Sequence, residues 1–255
     1  MKSKIVAIFL MLMGVFIPLS SAQEPVVPNW TIDWVEDLSS PTLLESIDDK
    51  SSSDWWDKGG IITFEFYIEN TRPTELNIVL DFETDHEGDF NWFEVDLDES
   101  VAVGGNSNKT FEVTLEVGSL NDVSEGTIHG LTIIAQEDFQ LPSTPQNIEA
   151  DTKVPRVAIM MADIIDEDVP LLGGTETEIK VGLTNFGNKN DKLKLTETEN
   201  PFTIDGCPQL SVQIDDSLSQ AVSPDSSAEG MFVAKASSSH PTTECIITLK
   251  AISDG

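Results

Sequence analysis

The stretch VGLTNFGNKNDKLKLTET, residues 181–198, decides how the chain is read. A strand pattern runs into Asn185-Phe186-Gly187-Asn188, and a second alternating segment, Leu193-Lys194-Leu195, follows. Asn and Gly are turn residues. Gly187 can take a positive φ, and the Asn185 side chain can bond nearby backbone. A phosphate-binding loop would need a helix N-terminus after the glycine. Here another strand pattern follows, so the stretch reads as a corner of a β-sandwich and not as a catalytic loop.

The same alternation recurs along the chain. Ile62, Phe64, Phe66 and Ile68 share one face, as do Leu76, Ile78, Leu80 and Phe82, and Phe111, Val113, Leu115 and Val117. Each set predicts a strand with one buried face. Leu131-Thr-Ile-Ile-Ala135 adds another apolar strand. The spacing of strands and turns is that of a β-sandwich. Landmarks then repeat in order. Gly59-Gly60 and a strand ending at Asn70 match Gly173-Gly174 and a strand ending at Asn185. Val103-Gly-Gly-Asn-Ser107 matches Val222-Ser-Pro-Asp-Ser226, and Thr132-Ile-Ile-Ala135 matches Thr248-Leu-Lys-Ala251. The offsets are about 114 to 119 residues, which points to an internal duplication. The segment LPSTPQNIEADTKVPRV, bracketed by Pro142, Pro145 and Pro155, reads as a short, stiff linker.

The N-terminus has the layout of a secretory signal. Lys2 and Lys4 precede an apolar run over residues 5–17, and Ser20-Ser21-Ala22 offers a cleavage site. The rival reading is an uncleaved anchor. No later segment is apolar enough to span a membrane as a helix. The expected organisation is a signal peptide at 1–22, a first sandwich with an N-terminal extension at 23–148, and a second at 149–255. The fold class is all-β, with two tandem immunoglobulin-like sandwiches.

Fourteen Lys and Arg stand against 45 Asp and Glu, a net charge of −31. Removal of Lys2 and Lys4 with the signal leaves 12 − 45 = −33. Such a chain repels nucleic acid and anionic lipid. It suits a salty exterior, or divalent cation binding. Cys207 and Cys245 are the two cysteines, and in an exported chain they are expected to pair. Asn29-Trp30-Thr31 and Asn108-Lys109-Thr110 are glycosylation sequons, with Asn29 and Asn108 the acceptors.

Asn185-Phe-Gly-Asn188, then Asp191 and Leu193-Lys-Leu195, resembles the cell-adhesion-related CARDB-type domains and the sandwich domains appended to some α-galactosidases. Val222-Ser-Pro-Asp-Ser226 fits their next turn, and Thr248-Leu-Lys-Ala251-Ile-Ser253 their last core strands. The resemblance covers 165–255 well and 55–138 more loosely, because Thr71-Arg72-Pro73 departs from the Gly-Asn pattern. It implies an immunoglobulin-like spacer or adhesive module of prokaryotic, archaeal-type surface proteins, without catalytic residues.

No catalytic motif contradicts that reading. His86, His129 and His240 sit in unrelated settings, and no zinc spacing, nucleophile elbow or Walker loop occurs. The chain is expected not to be an enzyme. Glu83, Asp85, Glu87, Asp89, Asn91 and Glu94 have the spacing of a calcium loop, although position 1 is Glu instead of Asp and the flanks read as strands. Apart from calcium there, no cofactor is expected. Trp55, Trp56 and Trp92 are candidates for stacking on a carbohydrate; the alternative for Trp55 and Trp56 is a clamp on the end of the core. The favoured function is a secreted or cell-surface structural or adhesive module whose partners are other surface proteins or glycans, within a longer anchored polypeptide as one arrangement. The alternatives are a carbohydrate-binding accessory module and a calcium-dependent binding module.

Overall fold

The alternating segments pair as two β-sandwiches in the computed structural model, which describes residues 29–49, 52–84, 93–138, 144–165, 169–195, 201–207, 209–241 and 244–254. The expected signal peptide, residues 1–22, lies outside these. The first sandwich comprises β1 (Trp30–Trp34), β2 (Thr42–Leu43), β3 (Glu45–Asp48), β4 (Lys58–Asn70), β5 (Leu76–Thr84), β6 (Phe93–Asp96), β7 (Ser100–Val103), β8 (Ser107–Val117), β9 (Ile128–Glu137) and β10 (Gln146–Lys153). One sheet runs β1-β4-β8-β6, with β3 also on β4; the other runs β2-β10-β9-β5-β7.

Side-chain alternation explains this pairing. Phe64, Phe66 and Ile68 of β4 and Phe111, Val113, Leu115 and Val117 of β8 turn inward. They meet Leu76, Ile78 and Leu80 of β5 and Leu131, Ile133 and Ala135 of β9 in one core. Each fully buried large side chain contributes about 1.5–3 kcal/mol. Phe82 is the exception to the expected pattern, since it is exposed near the end of β5.

The second sandwich comprises β11 (Met160–Ile164), β12 (Glu176–Asn185), β13 (Leu193–Leu195), β14 (Phe202–Asp205), β15 (Leu210–Ile214), β16 (Ser226–Ala236), β17 (Ile246–Leu249) and β18 (Ala251–Ser253), with a single 3-10 turn at Asp216–Ser219. Its main sheet runs β11-β12-β16-β15, and the pairs β13–β18 and β14–β17 complete the fold. Phe202 packs on Phe232 at 4.9 Å, beside Val181, Leu183, Leu193 and Leu218.

Strand register shows the duplication directly. Asn70 sits opposite Ser107 as Asn185 sits opposite Ser226. Leu76 pairs with Val103 as Asp191 bridges to Val222. Leu80 pairs with Ala135 as Leu195 pairs with Ala251. Both copies also place a non-glycine residue at positive φ in the same turn, Asn106 at 51° and Asp225 at 52°.

The expected boundary after residue 148 needs correction. β10 crosses it and lies antiparallel on β9 over its whole length, so it belongs to the first sandwich. Ile148, Ala150 and Thr152 are its buried face. Alternation built on Ala and Thr is faint in sequence, and the flanking prolines made the segment look like a linker. The connector is residues 154–159. No helix among the described residues is long and apolar enough to cross a membrane.

Candidate functional site: the joint between the sandwiches

The corner at 185–188 has two roles. The first is internal. Asn185 Nδ2 donates to the carbonyls of Lys189 (2.8 Å) and Val222 (2.9 Å), and its Oδ1 accepts from Gly187 N–H (2.9 Å). Asn70 does the same in the first copy: Nδ2 donates to Thr74 and Val103 carbonyls, and Oδ1 accepts from Arg72 N–H. Both amides are buried and satisfied, as buried polar groups must be.

The second role is to hold the two sandwiches together. Phe186 stacks on Trp56, with ring centroids 4.6 Å apart and planes inclined by 23°. Asn188, also buried, spans three segments. Its Oδ1 accepts from Val157 N–H at 2.8 Å, and its Nδ2 donates to the carbonyls of Pro155 (2.9 Å) and Leu120 (3.2 Å). Its own N–H donates to the Val157 carbonyl at 3.2 Å. From the other side, Asn121 Nδ2 donates to the carbonyls of Trp56 (3.1 Å) and Phe186, while its Oδ1 accepts from Lys58 N–H (2.9 Å).

The connector is packed into this joint and does not swing free of it. Val154 and Val157 are buried with the first core. Gly187 is required where the connector passes: a Cβ there would lie 2.3 Å from the Val157 carbonyl oxygen. Two ion pairs frame the joint, Lys189–Glu125 at 2.6 Å and Arg156–Asp191 at 3.4 Å. The hydrogen bond from Lys189, helped by its charge and by Arg156 and Lys153, holds the Glu125 carboxyl below its ordinary range.

A second constellation lies far along the chain. Cys207 and Cys245 form a disulfide with Cα atoms 5.6 Å apart. Cys207 follows β14, and Cys245 immediately precedes β17. His240 Nε2 lies 3.9 Å from Cys245 Sγ, and its Nδ1 lies 2.7 Å from the Pro241 carbonyl oxygen. The three ligand atoms fall within 4.8 Å of one another. With the sulfurs bonded to each other, the group is a covalent staple. Chain spacing does not reveal it, because Cys207 lies 33 residues before His240 and 38 before Cys245.

No protein-family model matches the chain, and no curated protein matches it. Among solved structures it is similar to a protein of unknown function from Porphyromonas gingivalis W83, at 12% identity over 82% of this chain and 84% of that one, with a TM-score of 0.29. The E. coli chaperone DraB matches at 9% identity over 87% and 91%, with a TM-score of 0.30. The class 5 fimbriae chaperone CfaA matches at 10% identity over 87% and 99%, also at 0.30. At these identities and TM-scores the likenesses assign neither a family nor a function to this chain.

Those of the remaining expected site residues that are described do not form one site. Trp55 is 64% exposed and stands edge-on to Trp56 at 82°, so the pair neither clamps the core end nor forms a flat platform. Trp92 lies outside the described residues. Of the six calcium candidates, Glu83 sits on β5 opposite Thr132 and Glu94 on β6 opposite Glu116, in different sheets. Asp85, Glu87, Asp89 and Asn91 lie outside the described residues. Asn29 and Asn108 are both exposed, as glycosylation acceptors must be. A shallow groove at 33–39 with Glu149 is acidic and holds neither His nor Cys.

Proposed function

We propose that the chain is a non-catalytic structural module of a secreted or cell-surface protein, in which two immunoglobulin-like sandwiches act as one stiff spacer. The observation that carries this reading is the joint. A flexible tether would leave its connector solvated, whereas Val154, Pro155 and Val157 of the connector are buried, and its backbone is hydrogen-bonded from both sides, to Thr127 and Gly126 in the first sandwich and to Asn188 in the second. The acidic balance of 14 basic to 45 acidic residues favours a hydrated, extracellular surface. The CARDB-type resemblance, a place on the surface of a prokaryotic cell, and partners among surface proteins or glycans belong to this same reading.

Small-angle scattering tests it. A stiff spacer gives a single narrow distribution of inter-domain distances that is unchanged by salt. A broad distribution, with the sandwiches reorienting independently, would overturn the proposal. One observation favours a glycan partner: the exposed face of Trp55 at the rim of the joint. Quenching of indole fluorescence by an oligosaccharide, lost in Trp55→Ala, is the corresponding measurement.

A further inference from the structure

Strand register delivers the two cysteines to one place. β14 runs antiparallel to β17, with Thr203 opposite Thr248 and Asp205 opposite Ile246. Further along the same register Cys207 falls opposite Glu244, next to Cys245, and its Sγ lies 3.7 Å from the Glu244 carbonyl oxygen. Gly206, at a φ of 82°, turns the chain there. His240 arrives separately, on the turn that follows β16. That turn is tied down. His240 N–H donates to the Ser237 carbonyl at 3.0 Å, and the hydroxyls of Ser237 and Ser239 both donate to Gln209 Oε1, at 2.8 and 3.0 Å. Gln209 belongs to the segment that supplies the buried Cys207, so imidazole and sulfur share one support.

The imidazole is oriented as a metal-binding histidine is. Nδ1 lies 2.7 Å from the Pro241 carbonyl oxygen, which can only accept, so in the neutral ring Nδ1 carries the hydrogen. Nε2 then presents its lone pair to Cys245 Sγ, 3.9 Å away. Fixing a ligating histidine through its other ring N–H, on a backbone carbonyl, is the usual arrangement around zinc. The two sulfurs and the ring nitrogen lie within 4.8 Å of one another. A tetrahedron with Zn–S of about 2.3 Å and Zn–N of about 2.0 Å has N···S edges of about 3.5 Å and an S···S edge of about 3.8 Å. The imidazole is nearly in place, and the sulfurs have only to part. The Cα separation of 5.6 Å leaves room for that by rotation of the two side chains.

We propose that the dithiol form of Cys207 and Cys245, together with His240, is a binding site for a thiophilic cation such as Zn²⁺, so that a metal ion replaces the covalent link wherever the chain is reduced.

A dithiol reductant supplies the two electrons. Its own sulfurs join, the Cys207–Cys245 bond breaks, and its two protons move to the cysteine sulfurs. Binding of Zn²⁺ displaces both protons to solvent and leaves two thiolates, one imidazole and a fourth position for water. Exchange with an oxidised dithiol runs the same steps backwards and expels the ion. Either link holds β14 to β17. The inference goes beyond the spacer reading and does not depend on the stiffness of the joint.

The full chain is reduced with a phosphine, desalted without oxygen, and titrated with Co²⁺ and then Zn²⁺. Co²⁺ should give the visible bands and sulfur charge-transfer absorption of a tetrahedral thiolate site, and Zn²⁺ should abolish them. The disulfide form should give neither. Zn²⁺ should raise the melting temperature of the reduced chain and shield both cysteines from alkylation, a readout that needs no variant. His240→Ala, folded in its disulfide form, should weaken Zn²⁺ binding by the reduced chain about tenfold or more, since even loss of a ligand's outer partner costs that much. An octahedral Co²⁺ spectrum, alkylation unaffected by Zn²⁺, or an affinity unchanged in His240→Ala overturns the proposal. So does equal binding by the disulfide form, since the acidic surface then holds the ion. A reduced chain that unfolds and is not restored by Zn²⁺ overturns it as well.

Discussion

Trp56 and Phe186 face each other across the joint at 4.6 Å, although they lie in different sandwiches. Stacked aromatic pairs are worth about 0.5–1.5 kcal/mol beyond the area they bury. A double-mutant cycle with Trp56→Ala and Phe186→Ala, followed by denaturant unfolding, should return a coupling of that size. Independent effects of the two changes would show that the rings do not meet in solution.

Asn188 is the more sensitive residue. Asn188→Ala leaves Val157 N–H and the carbonyls of Leu120 and Pro155 without their partner. Each buried unsatisfied group costs about 1–3 kcal/mol. Asn188→Asp should cost more, because it sets a carboxylate against two carbonyl oxygens. Scattering should detect a looser inter-domain arrangement in both variants. Wild-type distance distributions would remove Asn188 from its role.

Gly187→Ala tests the close passage of the connector. The new Cβ would lie 2.3 Å from the Val157 carbonyl oxygen, so backbone must move. Overpacking of this kind costs about 1–3 kcal/mol. A melting temperature equal to that of the parent chain would show that the approach is not tight.

The joint should also weaken in acid. Glu125 at the joint is held below its ordinary range first by the hydrogen bond from Lys189; away from the joint, Glu137 of the first sandwich is held likewise by Arg72. A carboxyl whose folded pKa is depressed stabilises the fold above its unfolded pKa, and that stability is lost as pH falls through the folded value. Melting temperature should therefore fall as pH drops below the ordinary carboxylate range. Glu125→Gln should flatten part of that fall, and an unchanged slope would exclude the pair as a contributor.

Cys207 and Cys245 close a loop of 38 residues, worth about 3–4 kcal/mol in the chain-entropy model. The double variant Cys207→Ser, Cys245→Ser should lose about that much. The loss should fall on the second sandwich, while the first unfolds as before. Peptide mapping without reduction should recover the linked pair, and two free thiols in the folded protein would contradict it.

The sequence by itself determined the strands, their buried faces and the duplication. These features rest on local alternation, so Phe64, Phe66 and Ile68 announce a face whatever they pack against. It also determined the disulfide partners, because two cysteines allow one intramolecular pair. Only the tertiary structure decided what Asn121 and Asn188 do. In sequence, a loop asparagine reads the same whether it bonds water or a carbonyl 65 residues away, as Asn121 does with Phe186. The structure also decided that β10 belongs to the first sandwich. Sheet membership depends on which edge a strand reaches, and alternation along one strand carries no record of its neighbour.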